Sequence, residues 1–166
     1  MSHRKRFNWH RLIQSLPEKL SGIISPASAA QIDDVQNSLG VTLEATYIEF
    51  LASVGFLACY GVKINGICNT LEDEPSFQNH FEEVQREFDV VYGTLLERKT
   101  YGDKFPPRSF ILGSNWLVLP SHRIIDWPAE PGYFDVGHTH FLKLVEWCFT
   151  GPWSRMGLEF SAFMED

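Results

Sequence analysis

Residues 26–67 read PASAAQIDDVQNSLGVTLEATYIEFLASVGFLACYGVKINGI, and the change of hydrophobic period inside this stretch decides the fold. Ile32, Val35 and Leu39 share one helical face. Ser25 with Pro26 at the first helical position, or Ser28 in its place, supplies an N-cap, and Gly40 supplies the stop. After the link Val41-Thr42-Leu43, the apolar residues Tyr47, Phe50, Leu51 and Val54 recur at i, i+3, i+4 and i+7, and Gly55 ends that helix. Two short amphipathic helices joined through a glycine form a helical hairpin whose stripes need a further layer. From Phe56 to Ile67 the period becomes that of strands: Leu57, Cys59, Val62, Ile64 and Ile67, broken by Gly61 and by Asn65-Gly66, predict strands with a tight turn.

Further along, the acidic loop Glu72-Asp73-Glu74-Pro75 leads to Ser76, a cap for the longest helix. Phe77, Phe81, Val84, Phe88, Val91 and Leu95 recur at steps of three and four, which predicts one helix of about five turns. Beyond Pro106-Pro107 the expected strands are Phe110–Leu112, Trp116–Leu119, Arg123–Asp126, Tyr133–Val136 and Leu142–Cys148, separated by Gly113-Ser114-Asn115, Pro128 and Gly137. Gly151-Pro152 breaks the last of them, and a short helix from about Ser154 would set Leu158, Phe160 and Phe163 against the rest. In the other direction, Asn8 caps a helix over residues 8–20, with Trp9, Leu12, Ile13, Leu16 and Leu20 on one face and Pro17 weakening its last turn. Residues 1–7 read as a basic N-terminal tail. The expectation is one α+β domain over residues 8–166: a helical hairpin and a long helix packed on a mainly antiparallel multi-stranded sheet, with a short C-terminal helix.

The formal charge of -7 is unevenly spread. Arg4, Lys5, Arg6 and Arg11 precede every acid, and from residue 12 onward ten Lys and Arg face twenty-one Asp and Glu, a balance of -11. An acidic body argues against nucleic acid as partner and suits a basic protein through long-range steering. The cysteines Cys59, Cys68 and Cys148 are odd in number and lack CxxC spacing, so buried free thiols in a reducing, cytoplasmic setting are expected. No apolar run approaches the roughly 18 residues of a membrane span, and the basic start lacks the apolar core of a secretion signal.

Motifs for catalysis are thin. His138-Thr139-His140, with Asp135 nearby, resembles half a metal site, but a polar loop between two strands explains it better. Ser121-His122 has no nucleophile elbow around it, and the apolar neighbours Leu57, Trp147 and Phe149 would make Cys59 and Cys148 less acidic. No glycine-rich phosphate cradle is present. Adjacent acids such as Asp33-Asp34 and Glu82-Glu83 diverge on a helix and read as solvated faces. No catalytic, cofactor or metal residue is therefore expected. The stronger candidates are contact residues: Glu72, Asp73 and Glu74 of the acidic loop, and Asp126, Trp127 and Glu130, where an aromatic anchor is flanked by charges that steer.

The run Leu39-Gly40-Val41-Thr42-Leu43-Glu44, then Tyr47-Ile48-Glu49-Phe50-Leu51, Gly55 and Tyr60-Gly61-Val62-Lys63-Ile64-Asn65-Gly66-Ile67, resembles the SUKH (Smi/Knr-like) superfamily. A late segment Leu144-Val145-Glu146-Trp147, which the family pattern renders as a strand, and the spaced Phe160 and Phe163 extend the likeness to residues 26–164. The sequence departs from the pattern at Glu44, where proline is common, and at Ser53-Val54-Gly55, where Asn-Gly-Gly is frequent. The resemblance implies an immunity protein that binds and neutralises a cognate bacterial toxin, such as a nuclease or deaminase, by occluding it. The alternative it allows is a non-catalytic regulatory or scaffold module like the fungal cell-wall regulators. Neither role demands a catalytic centre.

Overall fold

The helical stripes of the N-terminal half become buried faces. A computed structural model of the chain describes residues 6–15, 25–59, 62–68, 79, 81–113, 116–127, 140–150 and 160–165. Strand β1 (Arg6–Phe7) leads into α1 (Trp9–Ser15), where Asn8 Oδ1 accepts the Arg11 N–H at 2.9 Å as an N-cap. Helix α2 (Ala29–Leu39) buries Ile32, Val35 and Leu39. Of its two candidate caps, Ser28 is the one used: its Oγ accepts the Gln31 N–H while Gln31 Oε1 accepts the Ser28 N–H, a capping box. Gly40 ends the helix in the left-handed conformation at φ 65°. Helix α3 (Ala45–Ser53) follows and buries Tyr47, Phe50 and Leu51.

Strands β2 (Leu57–Cys59) and β3 (Val62–Ile64) form the expected antiparallel hairpin, with Cys59 opposite Val62. A second antiparallel sheet joins β4 (Phe110–Gly113), β5 (Trp116–Val118) and β6 (Ile124–Asp126) in that order. The Asn65 N–H to Leu112 carbonyl bond of 2.6 Å ties the hairpin to β4. A third pairing sets β1 against β7 (Met164–Glu165), just after a short 3-10 turn at Phe160–Phe163. The antiparallel strands thus divide among small sheets. Arg6 and Phe7, assigned to the basic tail by composition, form a strand, and Phe7 is buried. The expected strand Tyr133–Val136, the helix start near Ser154 and the cap Ser76 lie outside the described residues.

Two expectations are corrected. The segment Leu142–Cys148 is part of a helix, α6 (Phe141–Thr150). Phe141, Leu144, Val145 and Cys148 fall at i, i+3, i+4 and i+7, and all four are buried. Phe141 touches both Tyr47 and Phe50, with ring centroids 5.2 and 5.4 Å apart, and Trp9 completes this aromatic centre of the core. The family-like strand at Leu144–Trp147 is therefore helical too.

The second correction concerns the long helix. It is two helices, α4 (Phe81–Phe88) and α5 (Val90–Tyr101), interrupted at Asp89. Gly66 enters the gap: its N–H donates to the Phe88 carbonyl and its carbonyl accepts the Val90 N–H, each at 2.8 Å. The chain at Gly66 takes over hydrogen bonds that a continuous helix would make within itself. The apolar stripe continues in sequence but not in burial, because Leu95 is 47% exposed.

Candidate functional site

The break at Asp89 builds the most distinctive polar site of the described residues. Aspartate disfavours helix interiors and favours N-caps. Asp89 is extended at φ -83°, ψ 124°, and its Oδ1 accepts the N–H groups of Val91 at 3.0 Å and Tyr92 at 2.9 Å. Its Oδ2 accepts the Cys68 N–H at 3.2 Å. One carboxylate therefore fastens the segment after β3 to the start of α5. Beneath it the Tyr47 hydroxyl donates to the Asn65 carbonyl at 2.6 Å. Tyr47, Asn65, Cys68 and Asp89 are all buried. Burial pushes the Asp89 carboxyl above its ordinary value, against the pull of its three backbone donors. Burial, with Asp89 close by, also raises the Cys68 thiol and the Tyr47 hydroxyl.

Above this cluster lies a cleft of about 260 Å³ between α2 and the α4–α5 junction. Gln31, Asp34, Val35 and Ser38 form one wall, a single face of α2 at helical spacing. Gln85, Asp89, Tyr92 and Leu95 form the other, and Ile67 and Val91 contribute apolar surface. Among the described residues, two carboxylates and no Lys, Arg or His line it. Leu95, beside the cleft, and its neighbour Leu96 at 44% are the large hydrophobic side chains exposed among the described residues. Elsewhere on the same two helices, Asp33 of α2 and Glu82, Glu83, Arg86 and Glu87 of α4 are exposed. An exposed leucine in a cleft lined by carboxylates has the composition of a protein contact.

Helix α5 fixes one side of this cleft to the rest of the molecule. Thr94 Oγ1 accepts the Ile111 N–H at 2.9 Å, and Arg98 Nη2 donates to the carbonyls of Leu39 and Ser109 at 2.8 and 3.0 Å. Partial burial lowers the Arg98 pKa from its ordinary value.

The contact residues expected from sequence do not converge on the cleft. Glu72, Asp73, Glu74 and Glu130 lie outside the described residues. Asp126 ends β6 opposite Trp116, and partial burial raises its carboxyl. Trp127 is only 8% exposed: its ring packs edge-on against Tyr101 and Phe105, and its Nε1 donates to Glu97 Oε2 at 3.1 Å. A ring so enclosed fills a small core and has little area left for a partner. The cleft itself went unread because its walls come from segments some fifty residues apart. The one local signal was an aspartate set between Phe88 and Val90-Val91, a capping residue where a continuous helix has none.

The other sequence candidates have ordinary surroundings. Ser121 and His122 form the β5–β6 turn, where the His122 N–H donates to the Leu119 carbonyl at 2.8 Å and Ser121 Oγ accepts the Arg123 N–H. Cys68 and Cys148 are buried, as expected, and burial pushes the Cys148 thiol up to about 12. His140 is exposed at the start of α6, with Nδ1 3.7 Å from Glu44 Oε1. Glu44 Oε2 also accepts the Phe141 N–H at 3.3 Å, so this side chain, a departure from the family pattern, caps α6 from 97 residues away. Among the described residues, no three His, Cys, Asp or Glu side chains cluster as metal ligands, and no helix is long and apolar enough to cross a membrane.

Compared with models of protein families, with curated proteins and with solved structures, the chain matches none.

Proposed function

We propose that this chain is a cytoplasmic immunity protein of the SUKH kind, which neutralises a basic toxin of the nuclease or deaminase type by binding and covering it. The observation that carries this reading is the acidic cleft, where exposed Leu95 lines one wall and exposed Asp34 the other, with Leu96 exposed next to Leu95. Apolar anchors supply affinity once water is excluded, and the surrounding carboxylates speed encounter with a cationic partner. An acidic surface also mimics the polyanion that a nuclease binds, so contact and occlusion of the substrate cleft become one event.

The test begins with the gene immediately upstream. Its C-terminal domain is expressed in a bacterial host with and without this chain, and growth and co-purification are followed. Rescue of growth together with a stoichiometric complex supports the reading. Charge reversal at Asp33, Asp34, Glu82 and Glu87 should then abolish both, and reversal at Glu72, Asp73, Glu74, Asp126 and Glu130 tests the other acidic segments. If the neighbour encodes no toxic domain and the chain instead co-purifies with a resident cytoplasmic protein, the immunity reading fails and a regulatory scaffold role replaces it.

A further inference from the structure

We infer that the cleft between α2 and the α4–α5 junction is a socket for an arginine side chain presented by a basic polypeptide partner. This rests on the reading of the cleft face as a protein contact, and specifies the chemistry by which it holds its partner.

The lining has the two halves such a side chain requires. Val35, Ile67, Val91 and Leu95 offer apolar surface to the methylene stem, which long cationic side chains bury while keeping the charged head in polar surroundings. Asp34 meets the head with a carboxylate, the geometry that a planar guanidinium satisfies with two parallel N–H bonds. Ser38, one turn further along α2, adds a hydroxyl acceptor, and Tyr92 on the facing wall adds an aromatic ring.

An anion is the obvious competitor, since the N-terminus of α5 opens onto the same cleft and helix N-termini attract negative charge. Here those donors are taken: the N–H groups of Val91 and Tyr92 already point at Asp89 Oδ1. An incoming anion would find no free donor there and two carboxylates in its way. The charge of the lining thus selects a cation, and its apolar area selects one carried on a hydrocarbon stem.

The test uses the full chain, labelled with nitrogen-15, and a short glycine-flanked tetra-arginine peptide as probe. Saturable amide shifts confined to residues 31–38 and 89–95 are expected. A peptide of the same length with citrulline in place of arginine should produce none. Asp34→Asn should weaken binding about tenfold, as loss of a charged hydrogen-bond partner does. Glu49→Gln removes the same charge from the exposed surface of α3, outside the cleft lining, so it should change affinity less than twofold. Both positions are exposed, and the spectrum of each variant reports that it is folded. Equal losses in the two variants would mean diffuse attraction and overturn the socket, as would shifts that saturate elsewhere. Toxin protection with no peptide binding also overturns the socket while leaving immunity standing. Peptide binding without protection keeps the socket and removes immunity.

Discussion

Asp89 gives the most direct physical test of this architecture. In Asp89→Ala, α5 loses its N-cap, a cost of about 1 kcal/mol. The buried Cys68 N–H also loses its Oδ2 acceptor, and an unsatisfied buried donor costs roughly 1–3 kcal/mol. The two together come to about 3 kcal/mol. Asp89→Asn keeps an Oδ1 for Val91 and Tyr92 but turns an NH₂ group toward the Cys68 N–H, so its cost should be close to the second contribution alone, about 2 kcal/mol. With a urea m-value of about 2 kcal/mol/M, the midpoints should fall by roughly 1.5 M and 1 M. Both variants should remain folded, since domains of this size hold roughly 5–15 kcal/mol. The pH dependence adds a sign. Burial raises the folded carboxyl above its ordinary value of 3.8, so between that pH and the raised value the folded state holds a proton that the unfolded state has lost. Stability from this group therefore falls as pH rises through the window, and the deficit of Asp89→Ala is largest at its acid end and shrinks to a plateau. Urea titrations of parent and variants, repeated across pH, measure all of this. An alanine cost under about 0.5 kcal/mol, the range of an inert surface change, would refute the bridging role. A deficit that grows with pH would refute the sign.

Trp127→Ala should destabilise the fold by about 3 kcal/mol, as removal of a buried aromatic does, and thermal melts will show it; full stability with lost partner binding would return Trp127 to the surface. In the native protein Cys68 and Cys148 should resist iodoacetamide at pH 8, because both thiols are buried and raised, and peptide mapping before and after denaturation locates any label. Rapid native labelling of either would contradict their placement. Glu44→Ala should cost about 1 kcal/mol by uncapping α6, measured by urea denaturation. Glu44→Pro should cost less than alanine, because φ is already -66° at this position and proline recovers chain entropy; a proline variant worse than alanine would show that the backbone there is not free to accept it.

What the sequence disclosed depended on how local each signal is. Gly40 and the Ser28–Gln31 box lie within a few residues of the helix they bound, and the α2–α3 hairpin was readable from them. At α6 the residues from Leu142 onward resemble a strand, whereas Phe141 opens a helical stripe. The cap found for that start is Glu44, which is distant in sequence, so no local spacing reveals it. The long helix failed for a related reason: spacing alone cannot register that Gly66 displaces its hydrogen bonds at Asp89. Gly66 itself was read as part of a turn, yet it serves a close approach. A β-carbon there would stand 1.5 Å from the Gly55 carbonyl oxygen, so only glycine fits. Trp127 shows that a ring flanked by acids in sequence need not be a ring on the surface.

The same displacement explains why the cleft can serve as a binding surface at all. Had α4 and α5 been continuous, Asp89 would have occupied a helix interior with no backbone donors to cap. Broken there, the chain fixes Asp89 to three N–H groups, and α5 is held further along by Thr94 and Arg98. A wall secured at several points has little freedom left to lose when a partner docks, so more of the contact energy is retained as affinity. The two acids of the lining consequently have unequal roles. Asp89 is committed to the fold, and changing it disturbs α5 before it alters recognition. Asp34 is an exposed side chain of α2, so substitution there can retune the partner's charge with little effect on folding. Specificity within such a cleft should accordingly vary along α2, at Asp34 and Ser38, with the α5 wall held constant.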